Sequence, residues 1–204
     1  MKKVKSAYIY MNYVRSVIIY LFVRKHNSFE RDLERWCIYF ALKGTKKLYA
    51  FTYLMVYYKE FRNLVIARIR EKSFVKSVIA KILFKPIETL IFGTQEIGGG
   101  MFIEHGFATI ISAKSIGEDC WINQQVTIGY GSGGKSCPVI GDRVMIRAGA
   151  IVVGGITIGN DVTIAAGAVV VHDVPSNTVV AGVPAKVVKY KNDKNTHDNI
   201  NEGE

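Results

Sequence analysis

After residue 96 an aliphatic residue returns every six positions. Ile97 and Ile103 open the series. After one extra residue it resumes at Ile110, Ile116, Ile122 and Ile128, and a second run follows at Ile140, Ile146, Val152, Ile158, Ile164 and Val170. Many of these residues precede glycine or another small residue, as in IGGGMF, IGEDCW, IGDRVM, IGNDVT and IAAGAV. A period of six matches neither the helical repeat nor the two-residue alternation of an ordinary strand. It predicts a triangular solenoid, in which each hexad forms one short flat side and turns a corner. The aliphatic residues would stack in columns from coil to coil at about 4.8 Å, the ordinary strand spacing. The small residues would let the backbone turn tightly.

Two places break the period. One is the extra residue near Thr109. The other is GYGSGGKSCPV (residues 129–139), whose middle residue Gly134 cannot fill an aliphatic column. It reads as a loop leaving the coil, on the face where solenoids place functional insertions. AGVPAKVV (residues 181–188) ends the repeat, and Pro175 and Pro184 stop regular strands.

Before residue 91 the pattern changes. YVRSVIIYLFVRK, LERWCIYFALKG and YKEFRNLVIARIREKSFVKSVIAKIL mix apolar and basic residues at helical spacing. The division is therefore a helical region at 1–90, a β-helix domain at 91–189 and a polar, disordered tail at 190–204.

Charge sharpens that division. Residues 1–90 hold 19 Lys and Arg against 6 Asp and Glu, or +13, and residues 91–204 hold 8 against 11, or −3. Nine of the 11 tyrosines also lie in the first part. Basic, aromatic-rich helices suit either a cap packed on the β-helix with a solvated basic face or a peripheral contact with an anionic membrane. The longest apolar run, Ser16–Val23, falls far short of the roughly 20 residues a membrane span needs. Nucleic acid is not expected as a partner, because the charge comes without a binding motif. Three cysteines in no pairing pattern fit a reducing, cytoplasmic setting, including the inner face of the plasma membrane.

Of four histidines, His197 lies in the tail, His26 in the charged stretch RKHNSFERD and His172 at the last corner of the repeat. His105, in MFIEHGFATII, lies within the repeat beside its first irregularity. An imidazole there is suited to general-base work. Glu104 points the other way on an extended strand and is expected to shape an acceptor pocket. Metal is not expected, since a zinc site needs several histidines on adjacent coils and His105 and His172 lie far apart.

The hexad repeat, the loop after it, the IEHG segment and the AGVPAK ending resemble the hexapeptide acyltransferases, and within them the serine acetyltransferase branch, over residues 88–189. The resemblance implies a mainly β fold, a left-handed parallel β-helix, and a homotrimer with acetyl-CoA as co-substrate between neighbouring β-helices. It makes His105 the catalytic histidine and Glu104 its preceding acidic residue. It implies that Gly129, Ala148 and Ala166 line the acetyl-CoA groove and that Lys186 meets phosphate. The chain also departs from the family. Cys137, in SCPVI, stands where a second histidine precedes proline, and Ser136 replaces an arginine. The aspartate that orients the catalytic histidine falls near Leu90, with Glu88 as the nearby carboxylate.

The C–P form resembles acetyltransferases of capsule or exopolysaccharide synthesis. The expected activity is therefore acetyl transfer to a hydroxyl of a glycan precursor, with Glu104 and Cys137 lining the acceptor site. L-serine O-acetylation is the alternative, and a catalytically inactive scaffold is a further one.

Overall fold

The computed structural model describes residues 8–94, 96–131, 134 and 136–191. The expected tail lies almost wholly outside them. Residues 8–11 are helical and lead into α1 (Tyr13–Val23), α2 (Phe29–Tyr39), α3 (Lys47–Tyr57), α4 (Lys59–Lys72) and α5 (Phe74–Leu83). α4 ends and α5 begins at Ser73, an extended residue whose hydroxyl accepts from the Lys76 N–H at 3.4 Å. A left-handed parallel β-helix of about five turns follows, with the helical segment at its N-terminal end.

The β-helix has three faces. The first holds β1 (Leu90–Phe92), β4 (Thr109–Ile111), β7 (Thr127–Gly129), β10 (Ile151–Val153) and β13 (Val169–Val170). The second holds β2 (Glu96–Ile97), β5 (Ser115–Ile116), β8 (Val139–Ile140) and β11 (Thr157–Ile158). The third holds β3 (Phe102–Ile103), β6 (Trp121–Ile122), β9 (Met145–Ile146), β12 (Thr163–Ile164), β14 (Thr178–Gly182) and β15 (Ala185–Tyr190). All neighbours pair in parallel except β14 with β15, a closing hairpin with Pro184 in its turn.

The aliphatic columns stack as the six-residue period requires. Ile146 lies over Ile164, Ile140 over Ile158 and Val152 over Val170, which gives 18 residues per coil in this stretch. The recurrent Ile-Gly pairs also have a packing reason. A Cβ on Gly117 would stand 2.6 Å from the carbonyl carbon of Gly141 on the next coil, a separation real atoms do not adopt.

One column position differs from the expectation. Ile111 fills the core at 0% exposure, paired with Ile128, while Ile110 faces out at 42%. The irregularity before it holds two extra residues, and the following side is one residue shorter.

Long-range polar contacts join the helical region to the first coils. Arg68 of α4 and Asp32 of α2 are buried to 0% and 1% exposure and form a two-pronged ion pair at 2.9 and 3.2 Å. Arg68 also donates to the carbonyls of Ile97 and Gly98, and Asp32 accepts from the Met101 N–H at 3.0 Å. Trp36 donates from its indole to the Met101 carbonyl at 3.0 Å and packs against Phe61 and Phe102, with ring centroids 5.1 and 4.6 Å apart. Arg31 pairs with Glu118 and Asp119 further up the β-helix. Among the described residues no helix is long and apolar enough to cross a membrane.

Candidate active site

His105 lies where the third face turns into the first. On successive coils Glu104, Asn123 and Arg147 occupy equivalent positions, because Ile103 pairs with Ile122 and Ile122 with Ile146. Ala108, Gln125, Gly149 and Gly167 close the same corner, all with left-handed backbone, linked by Gln125 N–H to the Phe107 carbonyl, Gly149 N–H to Gln124 and Gly167 N–H to Ala148. One residue fills the gap on the later coils: Gln124, Ala148 or Ala166. On the first coil three residues fill it: His105, Gly106 and Phe107. The two additional residues push the backbone outward, and His105 and Gly106 both adopt positive φ, 62° and 40°. Left-handed backbone at a non-glycine residue stores strain, which persists only where surrounding structure holds it.

That support is visible at Gly106. A Cβ there would meet Leu90, Glu60 of α4 and Ile103 at 3.0–3.1 Å. Gly106→Ala is therefore expected to push the corner apart and move His105. We expect a loss of stability of about 1–3 kcal/mol and at least a tenfold fall in kcat. Thermal melts and steady-state kinetics on the same preparation check both.

The His105 side chain is exposed, and among the described residues nothing hydrogen-bonds its ring. Glu88 does not take the orienting role. It is fully exposed and paired with Lys85 at 2.8 Å, which holds its carboxyl below the usual range. Leu90 is buried.

The Glu104 carboxylate lies among a set of donors. The Asn123 amide donates to it at 2.7 Å, the Tyr39 hydroxyl at 3.2 Å and the Trp121 indole at 3.3 Å. Burial, and then the neighbouring Glu104 charge, raises the Tyr39 phenol above its ordinary pKa. The Arg35 and Arg147 guanidinium carbons each lie 5.8 Å from the Trp121 ring centroid. Beside this set, the side-chain oxygens of Asn123 and Gln124 are buried with no partner among the described residues. Buried acceptors without donors are uncommon.

The other candidates divide between two edges. Ala148 and Ala166 stack in one column, and Lys186 sits on β15 opposite Ala181, at the top of the same face. From Glu104 to that strand is five strand steps, about 24 Å. Gly129 and Cys137 lie at the opposite end of the first face, where β7 leads into the 129–139 loop, with Gly129 about 13 Å along the strand from the His105 corner. A Cβ on Gly129 would meet nothing within 4 Å, so this strand end is open. Cys137 is half-buried beside Tyr130, whose phenol is raised by hydrogen bonding to the thiol. A single protomer thus brings His105 and Glu104 to one edge and Gly129 and Cys137 to another.

Sequence reasoning missed Tyr39, Trp121, Asn123, Glu60 and Tyr130. Only Trp121, stacked between Phe102 and Met145, was a usable signal. His26, read as part of a charged stretch, is held by Glu71 at 2.7 Å. His172 is exposed at the last corner, as expected. Cys120 is buried, which pushes its thiol up to about 12 and leaves it unreactive. Among the described residues, no group of three His, Cys, Asp or Glu side chains is placed to hold a metal.

Residues 137–172 match the bacterial transferase hexapeptide family (six repeats). Over those residues the β-helix carries that family's repeat. The chain's likeness is to serine acetyltransferases. It is 46% identical to that of Staphylococcus xylosus over 98 residues, covering 46% of this chain and 45% of the relative. It is 38% identical to that of Bacillus licheniformis over 140 residues, 63% of each chain. The chain spans about half the length of the curated relatives it matches. Among solved structures, the Neisseria gonorrhoeae serine acetyltransferase superposes with a TM-score of 0.59 at 29% identity, covering 92% of this chain and 74% of that one. The Brucella abortus enzyme, solved with coenzyme A, shares the fold with a TM-score of 0.64 at 23% identity, covering 84% and 72%.

Proposed function

We propose that this hexapeptide-repeat chain is an acetyl-CoA-dependent O-acetyltransferase with His105 as its general base. The observation that carries the reading is the His105 corner. A two-residue bulge lifts one exposed imidazole beside a carboxylate that three donors hold in place. In the reaction, the imidazole takes the proton of the acceptor hydroxyl and the acceptor oxygen attacks the thioester carbonyl. Coenzyme A leaves as the thiolate and recovers the proton. Ala148, Ala166 and Lys186 would receive the pantetheine arm and a phosphate along one edge, with Gly129 contributed from the other edge of a neighbouring copy. The separation of His105 from Cys137 within one chain supports a homotrimer whose site is completed between protomers. The coenzyme A bound to the Brucella abortus relative supports the choice of co-substrate.

L-serine is the acceptor that the relatives support, since those compared carry the name serine acetyltransferase. The Glu104 carboxylate, held among Asn123, Tyr39 and Trp121, suits an ammonium group. A sugar hydroxyl is the second reading. What favours it is the pair of aromatic rings, Tyr39 and Trp121, around Glu104, together with Cys137 and Ser136 in place of histidine and arginine.

The test is thiol release from acetyl-CoA with L-serine and, separately, with amino sugars, deoxysugars and nucleotide sugars. Serine-dependent release is the expected result. Release with a sugar alone would transfer the assignment to glycan modification, and release with no acceptor would remove the acetyltransferase reading. Cys137→Ser is expected to keep the rate within about threefold. A loss of 10²-fold or more would make the thiol a covalent participant.

A further inference from the structure

Two adjacent helices in the basic region are turned the wrong way round for a water-exposed surface. On α5 the buried positions are Ser77 and Ala80. The opposite side carries Val75, Val78, Ile79 and Ile82, all exposed, Ile82 at 78%. On α1 and the residues before it, Ser16, Ile19 and Val23 are buried, while Met11, Val14, Ile18 and Leu21 are exposed, Val14 at 75%. Their 3-4-3 spacing makes one continuous stripe on a helix.

The two stripes share a side. Arg15 donates to the Leu83 carbonyl at 3.2 Å, and the Lys76 ammonium lies 5.5 Å from the Phe22 ring centroid. The helices therefore run antiparallel. At 100° per residue, all four contact residues sit about a quarter-turn from the exposed stripe of their own helix. Antiparallel neighbours that touch along matching flanks present their stripes in the same direction.

The charge around this double stripe has one sign. Residues 8–29 and 72–84 contain no Asp or Glu and carry Arg15, Arg24, Lys25, Lys72, Lys76 and Lys81. On α5, Lys76 and Lys81 flank the stripe on opposite sides, placed to reach past it. Tyr8 and Tyr10 are exposed at its N-terminal end.

We propose that the α1–α5 face docks on the surface of an anionic phospholipid bilayer, lying on it rather than crossing it. An apolar stripe wants a partner that removes it from water, and the flanking Lys76 and Lys81, in stretches free of acidic residues, want that partner negatively charged. A second copy of the same face meets the first requirement and fails the second, because pairing sets like charges against each other. The proposal is independent of the acetyl-transfer reading.

The experiment is co-sedimentation of the full chain with phosphatidylglycerol-containing vesicles and with phosphatidylcholine vesicles. Binding to the anionic vesicles, weakening as salt rises, is the expected result. Lys76→Gln and Lys81→Gln should each weaken it about fivefold. The double variant Val14→Glu/Ile82→Glu should abolish it with an unchanged melting temperature, since both positions are exposed. Failure of the unaltered chain to bind at low salt would overturn the proposal, as would binding that the double variant leaves intact. A lower solution mass for the double variant, by light scattering without vesicles, would also overturn it and assign the face to a second copy.

Discussion

Replacing His105 with alanine is expected to lower kcat by about 10²–10⁴-fold, the usual contribution of a positioned general base. The fold should survive, because the side chain is exposed and holds no other described side chain in place. The KM for acetyl-CoA should change little, since the positions proposed for the groove, Ala148, Ala166 and Lys186, lie on later coils. His105→Asn is a useful companion, because asparagine tolerates left-handed backbone better than alanine does. If both variants lose turnover while keeping the melting temperature, the loss is chemical. If His105→Ala keeps most of its turnover, His105 is not the base and the site must be sought elsewhere. Rates at saturating acetyl-CoA, with a melt of each preparation, decide between these outcomes.

Asp32→Ala is expected to cost about 3 kcal/mol of folding stability, because it removes the two-pronged buried partner of the Arg68 guanidinium and leaves only the more exposed Glu71, 3.5 Å away, as its counter-ion. A denaturant titration reads this directly. The pair does more than neutralise itself. Arg68 also holds the carbonyls of Ile97 and Gly98, and Asp32 holds the Met101 N–H, so together they tie α2 and α4 to the first coil. A doubly apolar variant, Asp32→Leu/Arg68→Met, should therefore recover only part of the loss. It removes the poorly compensated charge but still leaves those backbone groups without partners, at about 1–3 kcal/mol for each one that water cannot reach. Full recovery would mean the pair is a neutralised ion pair and no more. His105 lies two residues beyond Ile103 on the same coil. Loosening this attachment should also lower turnover before global unfolding is reached.

The solenoid was legible in the sequence because its physics is local and repeated. Each coil must supply an inward aliphatic residue at every side, and at the corner that follows an Ile-Gly pair stacking leaves no room for a Cβ, as Gly117 over Gly141 illustrates. His105 was legible as a lone imidazole in an otherwise apolar segment, and the resemblance reinforced it. The error at Ile110 has an equally plain cause. Thr109-Ile110-Ile111 offers two adjacent isoleucines, and a one-residue slip exchanges core for surface. Nothing local says whether the preceding corner holds one extra residue or two; pairing with Ile128 decides it.

What only the tertiary structure decided is what the first 90 residues do for the rest. Asp32 and Arg68 are separated by 36 positions, and Tyr39 and Glu104 by 65. Neither pair leaves a periodic trace, because such contacts depend on where two independently regular segments come to rest. Glu60 against Gly106 belongs to the same class. The basic, apolar character of the helices could be read directly. That α1 and α5 turn their apolar stripes outward and in one direction could not, since hydrophobic spacing fixes which residues share a face and only packing fixes which way that face points.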